Sequence, residues 1–79
     1  MNIGQAVARR VRDLLIARDM TQYRLAKEMM VSHNTITSIV TAKNKTANLN
    51  TLFLMCRVFN MTIDEFFNDS LFKGDLDIE

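Results

Sequence analysis

This chain of 79 residues has no proline, two glycines, one cysteine and one histidine. Each scarcity closes a route. A lone Cys56 excludes an internal disulfide, and one cysteine with one histidine, His33, cannot supply the four ligands of a structural zinc site. Enzyme chemistry needs clustered nucleophiles, acid/base groups or metal ligands. The late-lying acids and the two single residues do not supply them, so neither an enzyme nor a cofactor is expected. Gly4 and Gly74 sit near the two ends, and nothing between them punctuates the apolar patterns. Strand-like alternation is missing, as is any apolar run long enough to span a bilayer. The opening MNIGQAVARR lacks the apolar block of a secretory signal. These absences together predict one cytoplasmic, cofactor-free, all-α domain. A core this small is marginal, and dimerisation commonly adds to it.

The net charge of +1 hides a division. Eight of the ten basic residues precede residue 49 and six of the nine acids follow it, giving +5 in the first part and −4 in the second. Such a split suggests that one face meets a polyanion and the other does not, the alternative being chance segregation on a small surface.

Five helices are legible. The first runs from about Gln5 to Arg18, with Val7, Val11, Leu14 and Leu15 as its buried stripe, helped by Ala6 and Ile3. Arg9, Arg12 and Arg18 read as a solvated face. Thr21 caps a second helix, Gln22 to Met29, and Ser32 caps a third that ends near Thr41. After a polar link, Asn48 caps a fourth, whose stripe reads Leu49, Leu52, Phe53, Cys56 and Phe59. Cys56 is taken as packing, and the six methionines as core filling. Thr62 and Glu65 form a capping box that opens the fifth helix, where Ile63, Phe66 and Phe67 close the core. The domain spans residues 1–68. The tail, 69–79, alternates apolar and acidic residues and is expected either to fray or to pack on a neighbouring chain.

The centre of the chain is TQYRLAKEMMVSHNTITSIVT, Thr21 to Thr41. Leu25, Ala26 and Met29 mark one helix face, Ile36, Ile39 and Val40 another, and Val31 plugs the angle between them. The opposite side of the later helix carries Asn34, Thr37, Ser38 and Thr41 and no acid. Solvated faces usually carry long Lys and Glu side chains. Short uncharged groups suit a groove lined with hydrogen-bond donors and acceptors.

The order Gln22, Leu25, Ala26, Met29, Val31, Ile36, Ile39 resembles the helix-turn-helix of lambda-repressor/Cro-like DNA-binding domains. The ending Met61-Thr62-Ile63-Asp64-Glu65-Phe66-Phe67 is similar to that family too, and the resemblance covers roughly Gln5 to Asn68. It implies a five-helix fold and a bacterial or phage-encoded transcription regulator, in most cases a repressor. Such a protein lies on the nucleoid when bound and pairs as a homodimer on a palindromic double-stranded operator. Carried onto this chain, the base-reading residues are His33, Asn34, Thr35, Thr37 and Ser38. Phosphate contacts fall to Gln22, Lys43, Asn44, Lys45 and Arg10. Helical geometry ranks Asn34 and Ser38 first, on the side opposite the core, with Thr37 on the flank. His33 is oblique to that side, and base contact, phosphate contact and packing on the second helix all stay open. The dimer surface is expected on the fifth helix and tail. The alternative function is a protein-interaction or antitoxin module on the same fold.

Two departures stand out. Met30 occupies the turn position where the family usually has glycine, and a non-glycine residue with φ > 0 costs on the order of 1 kcal/mol. The turn is therefore either strained or differently shaped. Ala42 and Ala47 stand where glycine and proline are frequent.

Overall fold

The computed structural model describes residues 1–43 and 48–77. Five α-helices follow one another: α1 (Ile3–Ala17), α2 (Gln22–Met29), α3 (His33–Val40), α4 (Leu49–Val58) and α5 (Ile63–Phe67). A 3-10 turn, Ser70–Phe72, comes last. Each helix begins on a side-chain cap. Asn2 caps α1 in a capping box with Gln5, so that helix starts two residues earlier than its apolar stripe predicts. Thr21, Ser32, Asn48 and Thr62 cap the others, each accepting an N–H from the following turn. In the Thr62–Glu65 box, hydrogen bonds from Thr62 hold the Glu65 carboxyl below its ordinary value. That contribution to stability is complete above the unfolded-state pKa and is lost as pH falls through the folded one.

The helix ends are uniform in a way the composition conceals. Asp19, Met30, Ala42 and Asn60 all have φ between 50° and 59°. Each follows α1, α2, α3 or α4, and each is followed by the same pair of bonds. In α1, Asp19 N–H donates to Ile16 O and Met20 N–H to Leu15 O. The pattern repeats as Met30 to Lys27 with Val31 to Ala26, as Ala42 to Ile39 with Lys43 to Ser38, and as Asn60 to Arg57 with Met61 to Cys56. These are Schellman closures, in which glycine normally takes the left-handed position. Here none of the four is glycine, so the turn at Met30 has the usual shape and carries its strain.

Met30 is 91% exposed, which removes it from the core filling expected of it. Its side chain contributes little, and its backbone geometry is what glycine tolerates best. Met30→Gly is therefore expected to stabilise the domain by about 1 kcal/mol or slightly less, since glycine's extra unfolded-state freedom offsets part of the relief. Urea denaturation with an unchanged m-value would register it; a destabilised variant would contradict the strain.

The core gathers Val7, Val11, Leu14 and Leu15 from α1, Leu25, Ala26 and Met29 from α2, Ile36 and Val40 from α3, Leu52, Met55 and Cys56 from α4, then Phe59 and Phe66. Val31 packs against it from the α2–α3 turn. Burial pushes the Cys56 thiol up, an effect the Arg10 charge partly opposes, so the group is poorly suited to thiolate chemistry. Four expectations fail. Ile3, Leu49, Phe53 and Ile63 are 38%, 76%, 49% and 40% exposed. In α4 the stripe rotates to Leu52, Met55, Cys56 and Phe59, all buried.

Over its described part the tail folds back onto its own chain. Phe72 meets Phe67 edge-on at 4.8 Å between centroids. Asp77 then pairs with Asn2 in a parallel bridge and binds the Met1 ammonium at 2.8 Å. Arg10 joins the same assembly. Its guanidinium donates to Phe66 O at 2.8 Å, Glu65 O at 3.1 Å and Asp69 at 3.2 Å.

Candidate nucleic-acid interface

The outer side of α3 follows from its inner one. Ile36 is fully buried and Val40 nearly so, which turns Asn34 and Ser38, one helical turn apart, away from the protein. What those side chains offer is set by their hydrogen bonds. Thr37 Oγ1 donates to His33 O at 3.1 Å, and Thr41 Oγ1 donates to Thr37 O at 2.7 Å. The Thr35 and Ser32 hydroxyls lie 3.0 Å apart at the cap. These hydroxyls are already engaged, so Thr37 can offer a ligand its methyl group and the remaining acceptor capacity of its oxygen. The Asn34 and Ser38 side chains make no hydrogen bond among the described residues. They keep the full donor and acceptor capacity that reading a base edge requires.

The first turns of α2 and α3 sit side by side. The Tyr23 and His33 rings are 6.4 Å apart and tilted, so His33 packs towards α2 while remaining exposed. Gln22 precedes Tyr23 at the first position of α2. Thr21 satisfies the Arg24 and Leu25 N–H groups, leaving those of Gln22 and Tyr23 without a partner among the described residues. That corner carries free N–H donors and the positive end of a helix dipole, both favourable to an anion. Arg24 is tied to Glu28 at 2.8 Å, which offsets its charge.

At the other end, the closure of α3 differs from its three counterparts in one respect. After α1, α2 and α4 the last residue of the motif is apolar and half-buried: Met20, Val31 and Met61. After α3 it is Lys43, exposed, with its N–H on Ser38 O at 3.0 Å. The turn that elsewhere tucks a hydrophobic side chain inward here presents a cation beside Ser38. Asn44 and Lys45 lie outside the described residues. Between α1 and the last turn of α3 runs a groove of about 460 Å³, lined among others by Gln5, Arg9, Arg12 and Thr41. Arg9 is partnered by Asp13 at 3.4 Å, whereas Arg12 makes no ion pair among the described residues. The periodicity of α1 alone does not place Arg12 near α3.

Arg10 is engaged within the fold. Its side chain is 15% exposed and its donors point to α5 and Asp69, an arrangement that holds the fold together and leaves little for a phosphate. Arg18 likewise donates to Phe59 O, at the end of α4.

A family model described as Cro/C1-type HTH DNA-binding domain matches residues 10–70. No curated protein and no solved structure gives a significant match.

Proposed function

This chain belongs to the Cro/C1-type helix-turn-helix DNA-binding domains, and we propose that it is a sequence-specific transcription regulator, most simply a repressor, that inserts α3 into the major groove of double-stranded DNA. The observation that carries this reading is the state of the outer face of α3. Asn34 and Ser38 are unengaged and Thr37 keeps a methyl group, with no acid on that face. Asn34 pairs bidentately with adenine N6/N7, and the Thr37 methyl meets a thymine methyl. Gln22, with the free N–H groups of α2, takes a phosphate on one side of the groove, and Lys43 takes one on the other. Asn44 and Lys45 continue the phosphate-binding segment, and Arg12 joins it from α1. His33 and Thr35 act less directly, His33 by packing on Tyr23 and Thr35 by closing the cap.

A single module of this kind reads few base pairs, so the operator is a palindrome bound by a homodimer. The test is selection of bound duplexes from a random pool, followed by affinity measurement at two salt concentrations. Enrichment of a palindrome with a log–log salt slope of several units is expected. No enrichment, with salt-independent binding, would reject the reading in favour of a protein-interaction or antitoxin module.

Lys43→Ala is expected to lower affinity for every duplex alike and to reduce the salt slope by about 1, the effect of one phosphate contact. A slope equal to the parent's would remove Lys43 from the interface.

A further inference from the structure

The groove between α1 and the closure of α3 carries donors that the outer face of α3 does not account for. Its volume, about 460 Å³, is that of a small-ligand site. Gln5, Ala8, Arg9 and Arg12 stand at i, i+3, i+4 and i+7, one face of α1, and line it along its length. Val40 and Thr41 line it from the end of α3.

The floor gives an apolar occupant little to hold. Ala8 and Val40 are 2% and 4% exposed, so almost no hydrocarbon surface is available to pack against. The walls offer donors. Arg9 spends its Nε on Asp13 and keeps both terminal nitrogens without a partner among the described residues. The Arg12 side chain makes no hydrogen bond or ion pair among them. Gln5 Oε1 accepts the Asn2 N–H at 2.9 Å, which anchors the amide and leaves its NH2 group unpartnered among the same residues. The Thr41 hydroxyl is already donated to Thr37 O. At one end the Met1 ammonium is neutralised by Asp77 at 2.8 Å. No acid lines the groove among the described residues. Two guanidinium groups and an amide, with no carboxylate in the lining, suit a compact oxyanion such as phosphate.

We propose that this groove is a binding site for a free phosphate-bearing solute, held by Arg9 and Arg12 with Gln5 beside them. The proposed function above gives Arg12 to the DNA backbone, and on that reading the solute antagonises DNA binding, because an occupant that engages Arg12 removes one phosphate contact from the duplex. A DNA strand offers the same phosphate chemistry. Arg9 distinguishes the two sources, since it has no part in the DNA contacts assigned to this chain.

The first test uses no DNA. The full chain is titrated with inorganic phosphate at ionic strength held constant with chloride, and amide chemical shifts are followed by NMR. Saturable shifts are expected at Gln5, Arg9, Arg12 and Thr41. Arg9→Gln and Arg12→Gln should each raise the dissociation constant by about tenfold, the value of one charge-assisted hydrogen bond. Both side chains are exposed, so neither substitution disturbs the fold. Shifts that do not saturate, or that are the same in both variants, would overturn the proposal. The second test adds the selected duplex. Phosphate at constant ionic strength should weaken binding by the parent and leave Arg9→Gln unaffected, and without phosphate the two should bind within about twofold of each other. If Arg9→Gln alone lowers duplex affinity and reduces the salt slope by about 1, the groove holds a phosphate of the DNA and the free-solute site is refuted. A chain that binds phosphate in this way yet selects no duplex would refute the DNA-binding reading and leave the site standing.

Discussion

Asn34→Ala is expected to lower affinity for the selected operator by about ten- to a hundredfold, the value of one bidentate base contact, while binding to unrelated duplexes stays within about twofold. The selectivity follows from where Asn34 sits. It lies on α3 opposite Ile36, is exposed, and its side chain makes no hydrogen bond among the described residues, so that amide is available to a ligand and supports nothing inside the domain. Truncating an exposed, unengaged side chain in the first turn of a helix changes stability little. The loss should therefore appear in binding and be absent from thermal unfolding. Titrations of cognate and scrambled duplexes at one salt concentration, with a melting curve alongside, separate the cases. Equal losses on both duplexes would mean a backbone contact, and a lowered melting temperature would mean a structural role.

The largest effect on stability should come from Arg10→Ala. Arg10 gathers the last turn of α5 and the segment after it onto α1. Its guanidinium satisfies Phe66 O and shares Glu65 O with the Asn68 N–H at the end of that helix. It also pairs with Asp69 and stacks at 5.7 Å from the Phe66 centroid. Removing it strands the Phe66 carbonyl and takes the cation away from a partly buried carboxylate, which keeps only its bond from the Leu71 N–H. Hydrogen bonds involving a charged group contribute about 1.5–3 kcal/mol each before context reduces them. A loss of about 2–4 kcal/mol overall is expected, or roughly 10–20 °C in melting temperature for a domain of this size. Arg10→Lys should recover less than half, since an ammonium cannot span three acceptors in a plane. If Arg10 were instead a phosphate ligand, as its sequence position suggests, the alanine variant would melt near the parent and show a shallower salt slope.

Arg10 also shows where reading the sequence stops. Its partners are 55 to 59 residues away, and nothing local marks an arginine on a helix face as turned inward. What is local was legible. The caps Thr21, Ser32, Asn48 and Thr62, the bounds of α2 and the buried stripe of α3 all follow from hydrogen-bonding residue types and 3.6-residue periodicity. The stripe of α4 was not, because LNTLFLMCRVF is apolar at so many positions that two stripes can be drawn through it. Tertiary packing chose the one that buries Met55 and exposes Leu49 and Phe53. The tail's return to Asn2 and Phe67 is long-range in the same sense. Of the candidate interface, the outward residues of α3 were readable from helical geometry. The prior engagement of the Thr35 and Thr37 hydroxyls and the Tyr23–His33 contact needed coordinates.

The four left-handed helix ends bear on how such a domain changes its target. Asparagine and aspartate tolerate that conformation, so Asn60 and Asp19 carry little tension; methionine and alanine do not. Met30 is not among the residues proposed to read DNA, whereas Ala42 directly precedes Lys43, a proposed phosphate contact. Met30 is thus a position where one substitution adds about 1 kcal/mol of stability at no cost to recognition. Effects at well-separated sites add, so that increment can offset a destabilising replacement on α3. A lineage drifting towards a new operator can acquire the glycine first and the new reading residue second, and remain folded at every step.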